Sequence, residues 1–599
     1  MIARVINVKA ATPNERRISK ASFFLLLFII LKNILFNMNT IGQISGSSIF
    51  INFLMIIIMY FGLLIIFKRR TFWFWIIIDV IMSFIFVSNA IFYREYSDFI
   101  TIALVAQVNQ VSEIKGSIFA LLKWTDFLYL VDLPFYIFFS IKYKSVIEIQ
   151  RKKALASFVT AITIIVICFI TANYFYPGLF NEEFNRQAQV KRMGILAMYN
   201  IQGYSYLKDN VNTKPISQEE TAQIEEQLKS EGYNDMGNYK GKNLIMIQVE
   251  SLQGFVINEK YKGKEITPNI NKLIKESAYF ENCYQQIGMG HTADAELLTN
   301  TSLYPASDSC VYITKYNNSF ISIANSLKEK NYRTLYFHGN DGLFWNRSLI
   351  YKNLGFDEFH NLDEFKKDEI IWGLSDGSFF RQSFDIIKDI KEPFYSFFVT
   401  MSSHSPFEIT INDFTDGATY VEKYFNAINY ADKAIGQFID KLQVSGMLDN
   451  SILIVYGDHN ALSTEDIGVY FNKNIESPYE KESYNKIPMI IRFPDKKHSG
   501  IYSKSVGQND VLPTVRSILG IEDNKSFGRN MFDEGDNLVV LRNGSYVCSD
   551  TYYDSENRIT YNINTGEVLP NNEINIQKVF QKLEASDNIL KYDYFNKVN

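Results

Sequence analysis

A chain of 599 residues is too long for one ordinary hydrophobic core, so at least two domains are expected. Hydrophobic residues make up 47% and the net charge is −5, but neither is spread evenly. Residues 1–176 hold 17 Lys and Arg against 8 Asp and Glu while the remainder holds 43 against 57, and that acidic bulk excludes nucleic acid, whose binding needs a basic footprint.

Apolar runs of spanning length occur near 21–37, 49–67, 72–93, 125–141 and 156–176, which predicts a five-helix transmembrane domain over residues 1–176. Asp132 and Pro134 interrupt the fourth run. Arg16, Arg17 and Lys20 precede the first span, Lys68, Arg69 and Arg70 follow the second, and Lys142, Lys144, Arg151, Lys152 and Lys153 separate the fourth from the fifth. The positive-inside rule then puts the N-terminus in the cytoplasm and everything beyond Tyr176 outside the cell membrane. A cleaved signal peptide would leave one short apolar region, which does not fit five. Lys32, Asp79 and Asp132 lie within or beside the spans, where charge is costly; each is expected to snorkel or to face a partner helix.

Residues 177–240 are polar and read as a connector at the membrane surface, with a helix over 218–230. An extracellular α/β domain follows over 241–535. Strands are expected at 244–249, 333–337, 395–399, 452–456 and 487–493, and helices at 268–277, 293–300, 319–330, 420–445 and 511–519. Alternation of this kind predicts a mainly parallel central sheet. Residues 536–599 supply short strands and a closing helix near 574–586, a small C-terminal sheet appended to the larger domain. Four cysteines do not make a disulfide framework; Cys283 and Cys310 bracket one loop, and nothing in the sequence fixes whether they pair.

The chemistry concentrates at strand ends, where open α/β sheets collect ligands. Glu250 ends the apolar run Leu244–Val249, and Asp458-His459 follow the run Ile452–Gly457. Between them in sequence lies Gly290-His291-Thr292-Ala293-Asp294, whose threonine opens a helix and sits where backbone N–H groups favour phosphate. Glu250, Thr292, Asp458 and His459 make a candidate set for one divalent cation. Three hard oxygens with a single imidazole suit Mn²⁺, with Mg²⁺ as the second candidate; zinc prefers more nitrogen or sulfur. A bound cation makes the Thr292 alkoxide accessible as a nucleophile. Arg347 offers two parallel donors to phosphate oxygens, and Trp345 beside it can wall a pocket. His338 follows a strand toward the same edge, and His404 is placed to protonate a leaving alkoxide or to bind a hydroxyl.

These segments resemble the lipoteichoic acid synthase family, polytopic phosphoglycerol transferases of the alkaline phosphatase and sulfatase superfamily. The strings that carry the resemblance are Gln248-Val249-Glu250-Ser251, Gly290-His291-Thr292-Ala293-Asp294-Ala295-Glu296, Phe337-His338-Gly339, Phe344-Trp345-Asn346-Arg347, Ser403-His404-Ser405-Pro406-Phe407 and Tyr456-Gly457-Asp458-His459. The resemblance implies a sulfatase-like catalytic domain with Thr292 as nucleophile and Mn²⁺ held by Glu250, Thr292, Asp458 and His459. Arg347, Trp345, His338 and His404 would then line a glycerol-phosphate pocket. It also implies the reaction. Thr292 takes glycerol phosphate from phosphatidylglycerol, and a glycolipid or a growing polyglycerolphosphate chain accepts it. Two departures stand out. Asn340 follows His338-Gly339 where the family carries an acidic residue, and between 177 and 240 no convincing small-x-small cleavage site supports release of the outer domain.

Rivals are weaker. A sulfatase needs Cys or Ser in a Cys/Ser-x-Pro-x-Arg setting, which Thr292–Glu296 does not supply. A membrane phosphoethanolamine transferase is the nearest alternative, but it is richer in histidine and in exterior disulfides than this chain. A glycolipid primase of the same fold is a second alternative, and a non-catalytic receptor would be expected to have lost a ligand.

Overall fold

The computed structural model describes residues 27–599 apart from 68, 71, 97, 106–120, 143–146, 149–150, 176–185, 212–214, 230–236, 238, 369–372, 410–418, 524, 536 and 599. The chain divides into two compact units, Met1–Thr213 and Lys214–Asn599.

In the first unit the helices of eight residues or more among the described residues are α1 (Leu27–Asn39), α2 (Gly46–Phe67), α3 (Phe72–Tyr96), α4 (Leu133–Lys142), α5 (Arg151–Phe175), α6 (Arg186–Met193) and α7 (Ile195–Val211). Three stretches among the described residues, Gly46–Phe67, Trp73–Arg94 and Ala154–Thr171, are long and apolar enough to cross a bilayer. The first expected span appears as the shorter α1; its beginning lies outside the described residues, as do Arg16, Arg17, Lys20, Lys68 and Lys144. The fourth expected span is built from two segments rather than one continuous helix. It is a 3-10 turn, Trp124–Leu130, followed by the ten-residue α4. At 1.5 Å per residue, α4 covers only about half of a hydrocarbon core. The break is local chemistry: Pro134 has no N–H to donate into a preceding turn, and the Asp132 carboxylate just before it is drawn to Lys32.

The second unit opens with α8 (Gln218–Leu228), started by a capping box in which Ser217 Oγ accepts from the Glu220 N–H and Glu220 accepts from the Ser217 N–H. Its core is one nine-stranded sheet. In chain order the elements around it are β1 (Asn243–Val249), α9 (Pro268–Ile274), β2 (Ala278–Tyr284), α10 (Thr292–Thr301), α11 (Ile323–Lys328), β3 (Arg333–His338), β4 (Glu358–His360), α12 (Asp376–Ile387), β5 (Phe394–Val399), α13 (Tyr420–Val444), β6 (Ser451–Gly457), β7 (Lys486–Arg492), β8 (Gly500–Tyr502), β9 (Val506–Gly507) and α14 (Val511–Leu519). The strands run in the order β8-β2-β7-β6-β1-β5-β3-β4, with β9 also on β2. Only the β6–β7 and β7–β2 junctions are antiparallel, so the sheet is mainly parallel as expected. The strands β1, β5 and β6 are buried along their whole length, which is why they read as unbroken apolar runs rather than alternating ones.

Some elements were not legible in the sequence. Glu281 and Asn282 interrupt the apolar pattern of β2, and β4 has three residues, too few to show a period. The helix expected over 319–330 is confined to α11, because Ser322 Oγ accepts from the Asn325 N–H and fixes its start. The C-terminal strands pair antiparallel as one five-stranded sheet, β10 (Leu538–Val540), β11 (Tyr546–Cys548), β12 (Thr551–Asp554), β13 (Ile559–Asn562) and β14 (Val568–Leu569), and α15 (Glu573–Tyr592) closes the unit.

The register of the two central strands positions the chemistry. β6 and β1 are paired so that Tyr456 lies opposite Gln248 and Gly457 opposite Val249. Glu250 and Asp458 therefore leave the sheet side by side. Gly457 permits this closeness, since a Cβ there would collide with the Leu252 carbonyl oxygen. Gly457→Ala is expected to destabilise this unit by about 1–3 kcal/mol, the usual cost of overpacking, read as a lower melting temperature of the full chain.

Candidate active site

Thr292 is the first residue of α10, so its side chain stands at the positive end of a helix. Asp294 builds the turn that puts it there. Its Oδ2 accepts from the Gly288 N–H (2.9 Å) and the Gly290 N–H (2.7 Å), folding the loop back over the helix start. A Cβ on Gly290 would overlap the Asp294 carboxylate and the Cys310 sulfur, so only glycine fits this wrap. Burial pushes the Asp294 carboxyl up to about 7 against the pull of those two N–H groups. His291 completes the turn in the left-handed region (φ 43°). From behind, Gln248 Nε2 donates to the Thr292 carbonyl (3.0 Å), and Gln248 is itself oriented by the Tyr456 hydroxyl (2.8 Å).

The Thr292 hydroxyl donates to Glu250 Oε2 at 3.1 Å and lies 3.4 Å from His459 Nε2. His459 Nε2 is in turn 3.6 Å from Glu250 Oε1 and 3.4 Å from Asp458 Oδ2. The sequence expectation that Glu250, Thr292, Asp458 and His459 meet is thus realised in space. One ligand atom each from Glu250, Asp458 and His459 falls within 4.8 Å of the others. Burial alone would raise the Glu250 carboxyl, but His459 and then His404 outweigh it and hold it low. Asp458 is pushed well up by burial and then by the Glu250 charge beside it. Two carboxylates this close and this buried repel unless a cation lies between them.

The donor set fits a divalent cation. Asp458 is fully buried; its Oδ1 accepts from the Ser251 and His459 N–H groups (both 2.7 Å), while Oδ2 makes no hydrogen bond among the described residues. A buried carboxylate oxygen without a donor is costly unless a ligand takes it up. His459 Nδ1 lies 2.8 Å from the Asn460 carbonyl; donating there fixes the tautomer that leaves Nε2 as a ligand atom.

Neighbouring residues hold these ligands in place. The Glu250 N–H donates to Thr400 Oγ1 (3.0 Å), the Ser403 hydroxyl donates to the Glu250 carbonyl, and Ser251 Oγ donates to Glu250 Oε1 (2.9 Å). Gln508 Nε2 donates to the Asp458 carbonyl (2.6 Å). Asp376 Oδ1 accepts from the Met401 and Ser402 N–H groups, shaping the loop that carries His404. Among these, Gln248 and Ser251 lay inside strings already singled out. Thr400, Asp376 and Gln508 gave no signal of their own, since each acts from a separate segment that only folding brings near. His291 also belongs here, its ring edge-on to His459 at 4.7 Å.

The four expected pocket residues are placed as follows. His338 is buried, with Nδ1 3.1 Å from the Val399 carbonyl; burial and then Arg347 push it well below its ordinary value, so the ring is neutral. Trp345 is half-buried against Phe344 with a positive φ of 56°. His404 Nδ1 lies 2.6 Å from the Ser405 carbonyl. Arg347 is 1% exposed and bound to Glu296, with Nη2 to Oε1 2.6 Å and Nε to Oε1 3.1 Å; Tyr336 Oη joins the same carboxylate. Glu296 lies four residues after Thr292, so this guanidinium is tied to the helix that carries the hydroxyl. Asn340 is buried, and its Nδ2 makes no hydrogen bond among the described residues. Cys283 and Cys310 are buried and free.

Comparison with known proteins bears on both units. Residues 242–521 match the family model described as Sulfatase, and residues 6–214 match that of the Lipoteichoic acid synthase N-terminal domain. The chain is 32% identical over 553 residues to Lipoteichoic acid synthase-like YvgJ of Bacillus subtilis, covering 88% of each chain. It is 31% identical to Lipoteichoic acid synthase 1 of the same organism, over 97% of this chain and 96% of that one. The crystal structure of the lipoteichoic acid synthase LtaP from Listeria monocytogenes is similar with a TM-score of 0.56 and 28% identity, over 63% of this chain and 98% of that one. A Vibrio parahaemolyticus protein of the alkaline phosphatase superfamily shares the fold, with a TM-score of 0.52 at 22% identity over 64% of this chain and 97% of that one.

The ligand geometry makes a direct prediction. Asp458→Asn is expected to weaken divalent-cation binding by more than about 100-fold, beyond the effect typical of residues that only support a ligand, as read by calorimetric titration of the full chain.

Proposed function

The chain belongs to the lipoteichoic acid synthase family, and we propose that it transfers glycerol phosphate from phosphatidylglycerol to a glycolipid or a growing polyglycerolphosphate chain. The observation that carries this reading is the Thr292 hydroxyl, at a helix start and within hydrogen-bond reach of Glu250 and His459, beside an Asp458 oxygen that makes no hydrogen bond among the described residues. A hydroxyl at that position is suited to displacement at phosphorus.

In the proposed reaction Thr292 Oγ1, as the alkoxide left once its proton has gone to solvent, attacks the phosphorus of phosphatidylglycerol, and the same alkoxide is released at the end of the cycle. The bond from phosphorus to the diacylglycerol oxygen breaks, and glycerophosphate remains esterified to the threonine. His404 protonates the departing diacylglycerol oxygen; with Nδ1 donating to the Ser405 carbonyl, Nε2 is the atom for that transfer. In the second half His404 takes the proton of the acceptor's terminal hydroxyl as that oxygen attacks phosphorus, and the bond to Thr292 breaks. Glu250, Thr292, Asp458 and His459 would hold the cation, for which we propose Mn²⁺ on the strength of three oxygens and one imidazole. Bound there, it would lower the pKa of the threonine hydroxyl and neutralise charge on the phosphoryl oxygens.

Arg347 is proposed as the phosphate clamp. Each of its terminal nitrogens keeps a second N–H beyond the bonds to Glu296 and the Phe344 carbonyl. The neutral His338 and the half-buried Trp345 would border the glycerol moiety. We further propose a cytoplasmic N-terminus, residues 177–240 as a connector along the outer membrane surface, and residues 241–535 and 536–599 as the extracellular catalytic domain and its small sheet. Both lipid substrates are then within reach in the outer leaflet.

Full-length protein incubated with fluorescent phosphatidylglycerol, Mn²⁺ and candidate acceptors tests the reading. Expected products are diacylglycerol and a glycerophosphorylated acceptor, one unit for a primase and a ladder for a polymerase. Thr292→Ala should lower turnover by more than about 10³-fold, as loss of a nucleophile does, and intact-mass analysis should show one glycerophosphoryl adduct only when Thr292 is present. Lipid turnover by Thr292→Ala at the wild-type rate would refute the assignment. Arg347→Lys keeps the charge but loses the fork, and should lower kcat/KM about 10- to 100-fold, the worth of one charge-assisted hydrogen bond.

A further inference from the structure

The membrane unit contains an ionic cluster that the transfer reaction does not use. Lys32 on α1 is 4% exposed, Asp79 on α3 is fully buried, and Asp132, just before α4, is 1% exposed. The Lys32 ammonium lies 2.5 Å from Asp79 Oδ1 and 2.6 Å from Asp132 Oδ1, and it donates to Ser83 Oγ at 2.8 Å. The Ser83 hydroxyl passes its own proton to the Tyr129 carbonyl (2.8 Å). Three charged side chains far apart in sequence thus converge on one point among apolar helices. The surroundings are aromatic and aliphatic: Tyr129, Tyr136, Ile29, Ile78 and Met82 are all buried.

The charges do not balance. Among the described residues one ammonium faces two carboxylates, an excess of one negative charge in a setting where an uncompensated ion is expensive. The oxygens are also undersupplied with donors. Asp79 Oδ2 and both Asp132 carboxylate oxygens make no hydrogen bond among the described residues, Asp132 Oδ1 facing the Lys32 ammonium only as an ion pair. Lys32 cannot serve both, because its ammonium already bridges the two Oδ1 atoms and Ser83. Something positive must be shared by the two carboxyl groups.

We infer that Asp79, Asp132 and Lys32 form a proton-binding site in the membrane domain, with one proton held by the two aspartates together. With that proton the cluster is one ammonium, one carboxylate and one neutral carboxylic acid, and its net charge is zero. The acid's O–H is a donor that one of the unsatisfied carboxyl oxygens can accept. A metal ion fits worse. It would need several oxygens, whereas Ser83 Oγ is engaged with Lys32 and Tyr129, and the ammonium beside the site would repel it. The shared proton also explains how an interrupted segment stays in an apolar bundle, since it removes the repulsion between α3 and the chain ahead of α4.

The test needs no knowledge of substrate. Infrared spectra of the full-length protein in lipid vesicles resolve the carbonyl stretch of a protonated carboxyl, which an ionised carboxylate lacks. Asp79→Asn and Asp132→Asn each leave one carboxylate with one ammonium, a balanced pair that needs no proton. The wild type minus either variant should therefore show one protonated carboxyl, whichever aspartate is replaced. Lys32→Met removes the ammonium, so both aspartates should carry protons and the band should double. A wild-type band unchanged by sodium or potassium is expected as well. The inference fails if both asparagine variants keep the wild-type band, or if the wild-type band disappears when sodium is added. Because burial also raises the Asp294 and Asp458 carboxyls, only the wild-type-minus-variant difference assigns the band. Asp79→Glu and Asp132→Glu keep both carboxyls and should retain it. Its loss in both glutamate variants as well as in the asparagine ones would mark a folding defect and overturn the inference.

Discussion

Two carboxylates leave neighbouring parallel strands at the same level, and much of the second unit is organised around bringing them together. Glu250 ends β1 and Asp458 follows β6, with the register between those strands fixed over their full length. Both are buried, and Asp458 is pushed well up by burial and by the Glu250 charge. A folded protein does not assemble such a pair without something to offset the repulsion. His459 offsets part of it, and the unsatisfied Asp458 oxygen marks where a cation would supply the rest.

The positioning of the hydroxyl follows from that pair. Thr292 must reach Glu250 from another part of the chain, and it does so because Asp294 bends the preceding loop and Gln248 holds the Thr292 carbonyl from the adjacent strand. Tyr456, which lies directly opposite Gln248 in the strand pairing, orients it. Register, helix start and ligand placement are therefore one connected hydrogen-bonded arrangement, and a fault in any part displaces the hydroxyl from the carboxylate. Arg347, locked to Glu296 one turn further along α10, ties its own segment to the same helix.

The membrane unit meets the same physical difficulty in another form. Around Lys32 there is again one negative charge too many in a medium of low dielectric. In the second unit two carboxylates and an imidazole converge in a set that fits a divalent cation. In the membrane unit no substrate has to be polarised, and the smallest cation, a proton shared between two carboxyls, is sufficient.

What the sequence determined was everything carried by short-range pattern. Unbroken apolar runs marked β1, β5 and β6 because both faces of a parallel sheet are covered, and the residues that terminate those runs are the ones whose side chains converge. Glu250, Asp458 and His459 were legible for that reason, and Thr292 from its place at the start of a helix. Tertiary structure alone decided the rest. It showed that the fourth apolar run breaks at Asp132-Pro134, because Asp132 is attracted to a lysine a hundred residues earlier. It turned Arg347 onto Glu296, and it recruited Thr400, Asp376 and Gln508, none of which has a local signature. Period and strand ends are written along the chain, whereas the partner of a buried charge is chosen by whichever distant segment packs beside it.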